Sequence, residues 1–223
     1  MIKKLIYISI LIILCGNFAL AKTQSGGLEY NSYKYTFKSG DEQKFLKQAN
    51  VDMLLFEKSE LITQKAYYLQ DAMRYFYMVS QINPKSVDAQ VGLARIYDEI
   101  QLDNYAKKHF YVGLDFDNKN PKTNFYFANF YYKRKDLINA LTYYKKAYEY
   151  GYSNNVEVNY MMGTIYEKLA DIENSKKFYA NALALNPTNE ELNIKIRLLD
   201  ELNYSQSQYY LYSNSGKRKK RDK

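Results

Sequence analysis

One cysteine, one histidine and three prolines are all that this 223-residue chain has of three residue types that commonly punctuate or functionalise a fold. The cysteine, Cys15, lies within a short apolar run near the N-terminus. If that run is removed, the remaining chain has no thiol, so neither a disulfide nor a thiolate metal site is available to it. His109 has no second histidine or cysteine near it in sequence, and reads as a surface residue rather than a ligand. No phosphate-binding glycine loop, nucleophile elbow or HExxH stretch occurs. Acidic residues are numerous, but helices with Lys and Glu on their wet faces bring carboxylates together by chance. No catalytic residue, cofactor or metal site is therefore expected.

A basic body is also missing. Of the formal +8 charge, Lys3 and Lys4 supply +2 and residues 217–223 supply +5, which leaves +1 for everything between. The charge balance gives no reason to expect nucleic-acid binding. Residues 1–21 have the order of an export signal: Lys3-Lys4, an apolar stretch from Leu5 to Leu14, then Ala19-Leu20-Ala21 before Lys22. Cleavage is expected after Ala21, with the mature protein in the periplasm or cell envelope, or secreted. Two other readings stay open, an uncleaved anchor and a lipid-modified Cys15, although Leu14 stands where a lipoprotein signal prefers a small residue.

The chain does contain a repeat. Ala72, Phe76 and Val79 recur as Ala106, Phe110 and Gly113, as Ala140, Tyr144 and Ala147, and as Ser175, Tyr179 and Ala182. The steps between successive sets are 34, 34 and 35 residues. The one extra residue falls in the turn-rich stretch Gly151-Tyr152-Ser153-Asn154-Asn155. Upstream of the last three sets an apolar–small pair precedes a tyrosine: Leu93-Ala94 before Tyr97, Phe127-Ala128 before Tyr131, Met162-Gly163 before Tyr166. Each set is small, aromatic, small at helical spacing, which lets two antiparallel helices approach closely while rings fill the space around the contact. Pro84 and Pro187 close units, and Pro121 follows Asn120 at a first helical position. The pattern is clearest from Val156 to Asn189 and resembles the tetratricopeptide repeat, a helix-turn-helix unit of about 34 residues.

The fold expected from this resemblance is all-α, an α-solenoid of about four tetratricopeptide repeats with a C-terminal capping helix. Residues 22–40 read as a flexible linker, 41–202 as the repeat domain and 203–223 as a flexible basic tail. The repeats are placed at about 53–86, 87–120, 121–155 and 156–189, with the cap over 189–202. The first opening helix is the least regular, because strict register puts Ser59 and Glu60 where the other repeats carry the apolar–small pair. Either that unit is degenerate or an extra helix packs ahead of it, since terminal units of solenoids are often atypical. Ser86 is expected to cap the second unit, and Thr188-Asn189-Glu190-Glu191 has the form of a capping box for the last helix. On that helix Leu192, Ile196, Leu199 and Leu202 are expected to form one apolar face, while Asn193, Lys195, Arg197 and Asp200 point elsewhere.

The resemblance implies a non-catalytic scaffold or adaptor that binds a protein or peptide segment, because opening helices of tetratricopeptide proteins line a concave groove. The groove positions implied are Val91, Arg95 and Asp98 in the second unit, Phe125, Asn129 and Tyr132 in the third, and Tyr160, Thr164 and Lys168 in the fourth. Phe125, Tyr132 and Tyr160 are expected as aromatic anchors, with Asn129 orienting a backbone amide. Some of these rings are equally expected as core. A carboxylate clamp of the chaperone type is not implied, because Val91, Phe125 and Tyr160 stand where such a clamp needs Lys or Asn. A second role open to the chain is envelope association, with Lys217, Arg218, Lys219, Lys220 and Arg221 holding an anionic polymer or membrane surface.

Overall fold

The computed structural model describes residue 38 and residues 40–202. The export signal, the linker up to 37 and the tail from 203 lie outside the described residues. Eight helices precede a last one: α1 (Asp41–Lys58), α2 (Ile62–Ile82), α3 (Val87–Glu99), α4 (Asp103–Phe116), α5 (Pro121–Lys133), α6 (Leu137–Ala147), α7 (Val156–Lys168) and α8 (Ile172–Leu185). The last, α9, covers residues 190–202. No strand occurs among the described residues, and no described helix is long and apolar enough to cross a membrane. Successive helices pair as antiparallel hairpins, α1 with α2, α3 with α4, α5 with α6 and α7 with α8. The chain divides after Asn118 into two compact units, α1–α4 and α5–α9.

The repeated small–aromatic–small set is the core. Phe76, Phe110, Tyr144 and Tyr179 are all fully buried, and so are Ala72, Ala106, Ala140 and Ser175 four residues before them. Close approach shows most directly at Gly163. A β-carbon there would lie 2.6 Å from the Tyr179 ring, and Ser175 Oγ donates to Gly163 O across the same contact at 2.9 Å. A second regularity lies one residue before each core aromatic. Tyr97 stacks on His109 (5.2 Å, 14°), Tyr131 on Tyr143 (5.6 Å, 4°) and Tyr166 on Phe178 (5.6 Å, 7°). In the first hairpin Phe45 stacks on Tyr75 in the same way.

This explains the lone histidine, which is half-buried rather than a surface residue. His109 is the flat ring of its repeat, and Nδ1 donates to Gln90 Oε1 at 2.7 Å. Burial, with Lys108 adding, pushes its pKa down to about 4, so the ring is neutral at physiological pH.

Local signals start and stop the helices. Ser86, Asn120 and Asn155 cap α3, α5 and α7 by accepting from Ala89, Thr123 and Val158 N–H groups, and Asp136 and Asp171 cap α6 and α8. Pro121 starts α5, where its missing N–H is no loss. At α9 the cap is Asn189, which accepts from Leu192 N at 3.1 Å; Thr188 instead donates to Asn186. The cap thus falls one residue later than the Thr188 box expected from the sequence. Within three hairpins the turn residue is left-handed yet not glycine: Gln101 (φ 61°), Lys135 (φ 61°) and Ala170 (φ 59°). Each is followed by an N–H that donates back to the carbonyl of Tyr97, Tyr131 or Tyr166, which offsets the cost of that conformation. The extra residue of the third repeat is taken up by a π-type turn at Tyr148–Tyr152, where Gly151 has φ 132°.

The first hairpin departs from the strict register. Its helices have 18 and 21 residues, against 13 and 14 in α3 and α4, and Ser59 and Glu60 fall in the connection. The boundary expected near residue 53 lies inside α1. Ala49, Met53, Ala66, Leu69, Ala72 and Phe76 join Leu93, Ile96 and Ile100 of α3 in one cluster, so the longer hairpin still presents a matching face to the second repeat.

A carboxylate lies in this hairpin. Asp52 is 4% exposed; Oδ1 accepts from Gln48 Nε2 at 3.1 Å and Oδ2 accepts no hydrogen bond. Burial raises its pKa, with Asp71 adding and the Gln48 bond and Arg74 opposing. Native Asp52 therefore holds its proton to higher pH than the unfolded chain does. The contribution of Asp52 to stability is fully present below the ordinary carboxylate range and is lost as pH rises through its raised native pKa. Asp52→Asn should remove that slope and raise stability at neutral pH, read as urea-unfolding midpoints from pH 3 to 7. An unchanged slope would mean that another group sets it.

Candidate functional site

The opening-helix face was expected to run through both compact units, and each is described on its own. In the first, Val91 is 1% exposed and belongs to the core. Arg95 reaches back to α1, where its guanidinium pairs with Glu57 at 2.8 Å, and Asp98 is half-buried. These three positions therefore present a covered aliphatic, a paired cation and a carboxylate.

The second unit offers more. Phe125 is 7% exposed, packed edge-on against Tyr144 and Tyr152 at about 6 Å. Asn129, Tyr132, Tyr160 and Thr164 are half-buried, and Lys168 is exposed. Two of these meet a core hydroxyl from beneath. The buried Tyr144 hydroxyl donates to Asn129 Oδ1. The Tyr179 hydroxyl lies 2.5 Å from Glu167 Oε2 and 3.1 Å from Thr164 Oγ1. Burial pushes both phenol pKa values well above the ordinary range, with Glu157 adding at Tyr144 and the Glu167 bond adding at Tyr179, so both stay protonated donors. A phenol placed in a core must find an acceptor, and here the acceptor is the face itself. The first two repeats have phenylalanine at this position, Phe76 and Phe110, and lack the link.

Charges border the same face. Tyr160 donates to Glu191 Oε1 at 2.8 Å, and Lys195 Nζ lies 3.4 Å from Glu167 Oε2 and 5.3 Å from the Tyr179 ring centre. These contacts set α9 beside α7. Burial, then the bond to Glu191, raises the Tyr160 pKa, with Thr164 opposing, so this hydroxyl stays a protonated donor.

Sequence reasoning missed the continuation onto α9. Leu192 and Leu199 are buried as expected, but Leu202 is 53% exposed and aligns with Ile194 (48%) and Leu198 (50%). The last helix thus carries an apolar outer stripe besides its buried face, and Leu202 belongs to that stripe and not to the buried face expected for it. Asn189 caps α9 as Asn155 caps α7, so Ile194, Leu198 and Leu202 are the register equivalents of Tyr160, Thr164 and Lys168, 34 residues on. The repeating cap was the signal that would have found them. Among the described residues no cluster of three or more His, Cys, Asp or Glu could hold a metal ion.

A family model described as a tetratricopeptide repeat matches residues 156–189. No curated protein matches the chain. Solved structures share the fold at low identity. One is titled as the functional characterisation of Pseudomonas aeruginosa PilF (17% identity, 77% of this chain and 75% of that one, TM-score 0.61). Another is a crystal structure of MamA protein (15% identity, 75% and 89%, TM-score 0.54). The repeated core, the hairpin order, the family-model match over residues 156–189 and these neighbours agree on the fold: an all-α solenoid of tetratricopeptide-type hairpins.

Proposed function

We propose that the protein is an exported, non-catalytic scaffold that binds a protein segment on the opening-helix face of its second unit. The fold itself suggests an interaction scaffold. The observation that supports the finer reading is the half-buried pair Tyr132 and Tyr160, on the same helices as Asn129 and Thr164, which the core hydroxyls of Tyr144 and Tyr179 contact from beneath. Such rings offer contact area with few rotamers to freeze, while their hydroxyls remain able to meet water when nothing is bound. Phe125 serves beneath them as support.

Tyr132→Ala and Tyr160→Ala should each weaken partner capture from the native envelope fraction by about 2 kcal/mol, about thirtyfold in affinity. Tyr132→Ala should do so at nearly unchanged melting temperature, and Tyr160→Ala with a melting loss as well, because its ring packs on Tyr179 and its hydroxyl donates to Glu191. Phe125→Ala should instead lower the melting temperature. Unchanged capture by both tyrosine variants would place the site on another face. Export rests on the order of residues 1–21, and mass measurement of the native protein tests for a start at Lys22. A second role, attachment to an anionic surface, is favoured by the +5 charge of residues 217–223. Co-sedimentation with envelope material should then fall as salt rises and vanish when 203–223 are removed.

A further inference from the structure

The apolar stripe of α9 sits at the point where the chain leaves the last helix. Ile194, Leu198 and Leu202 are each about half exposed, and they continue the face carried by Tyr160 and Thr164 on α7. The sequence that follows has one dense apolar run, Tyr209-Tyr210-Leu211-Tyr212, set among Ser, Gln and Asn. We propose that this run folds back onto Ile194, Leu198 and Leu202, so that the chain's own C-terminal segment covers the end of its binding face. The inference builds on the reading of that face as a binding surface and adds an occupant that competes with the partner.

Three observations favour this occupant. The first is reach. From Ile194 to Leu202 the stripe is about 12 Å long at 1.5 Å per residue. The seven residues from Leu202 to Tyr209 span up to about 23 Å when extended, so the run reaches any part of the stripe. The second is charge. A segment running back along α9 carries residues 217–221, all Lys or Arg, toward its first turn, where Glu190 and Glu191 are exposed. The third is register. Continued by 34 residues, the Ser175, Tyr179 and Ala182 set falls on Tyr209, Ser213 and Gly216. A large residue stands where a small one is needed and a small one where the ring belongs. The segment is therefore unsuited to act as a fifth closing helix on the inner face of α9, and its rings are left for the outer one.

Disulfide trapping tests this in the full chain carrying Cys15→Ser, which then has no other cysteine. Leu198→Cys with Ser213→Cys should close an intramolecular disulfide at least tenfold faster than Asn193→Cys with Ser213→Cys. The tether length is similar, but Asn193 lies on a different side of the exposed surface of α9. Ile194→Cys with Ser213→Cys provides a second probe, should one substitution disturb the helix. The preference should disappear when residues 209–212 are all serine. Equal rates at both helix positions would overturn the fold-back, as would a preference that survives the serine substitutions. Intermolecular disulfides that dominate and grow with concentration would assign the stripe to a second copy of the chain instead. None of these readouts involves a partner, so the capture assay above stands or falls separately.

Discussion

Replacing Tyr179 by alanine should lower the unfolding free energy by about 3–5 kcal/mol, the range for removing a buried aromatic ring. The ring is fully buried, packs against the backbone of Gly163 and belongs to the cluster that joins α8 to Leu192 and Leu199 of α9. Tyr179→Phe keeps that packing and loses only the contacts to Glu167 and Thr164, so it should cost about 1 kcal/mol. Gly163→Ala approaches the same contact from the other side. Its β-carbon would sit 2.6, 2.8 and 3.0 Å from three carbons of the ring. Overpacking of about 1–3 kcal/mol then exceeds the helix-propensity gain of about 0.5–1 kcal/mol. In the double variant the alanine at 163 meets no ring, so its penalty should vanish. Urea unfolding of the four proteins measures this, and strictly additive losses would show that the two residues do not touch.

The second large effect is expected at Gly92, on α3. Helix propensity alone predicts that Gly92→Ala stabilises by about 0.5–1 kcal/mol. The structure predicts the opposite sign. A β-carbon at Gly92 would stand 2.4 Å from two carbons of the Phe76 ring and 2.5 Å from a third, well inside any real contact. Phe76 is 1% exposed, enclosed by Leu69, Ala72, Leu93 and Ile96 in the same cluster, so it has little room to retreat. Gly92→Ala should therefore lose about 2–3 kcal/mol, and Gly92→Val more. Phe76→Leu shortens the intruding ring and should restore much of the alanine variant's stability relative to its own background. A stabilised Gly92→Ala protein would show that α2 and α3 lie further apart than described.

The repeat was readable because its determinants are local and recur. Ala140, Tyr144 and Ala147 meet their partners inside one hairpin, so helical spacing alone specifies which side they share. Ser86 and Pro121 act on the backbone within one turn and were equally visible. His109 was misplaced because its role is to fill the slot held by Tyr143 and Phe178 elsewhere, and a histidine does not resemble those rings in any hydrophobic pattern. Gly92 was passed over for the neighbouring Leu93-Ala94 pair, since its contact is with Phe76 of the previous hairpin and not with its own.

By itself, then, the sequence determined the repeat, its period, the Ser86 cap and its hairpin core, all of which depend on interactions spanning a few turns of chain. Tertiary structure decided how much of the opening-helix face is open. Val91 and Phe125 share register positions with Tyr160 and Ile194, yet the first two are covered and the last two are not. It also decided that Tyr144 and Tyr179 address Asn129 and Thr164 from below, and that α9 turns Ile194, Leu198 and Leu202 outward. Periodicity assigns a residue to a side of its own helix, but exposure is set by whichever neighbouring helix packs against that side, and that neighbour lies about 30 residues away in the chain.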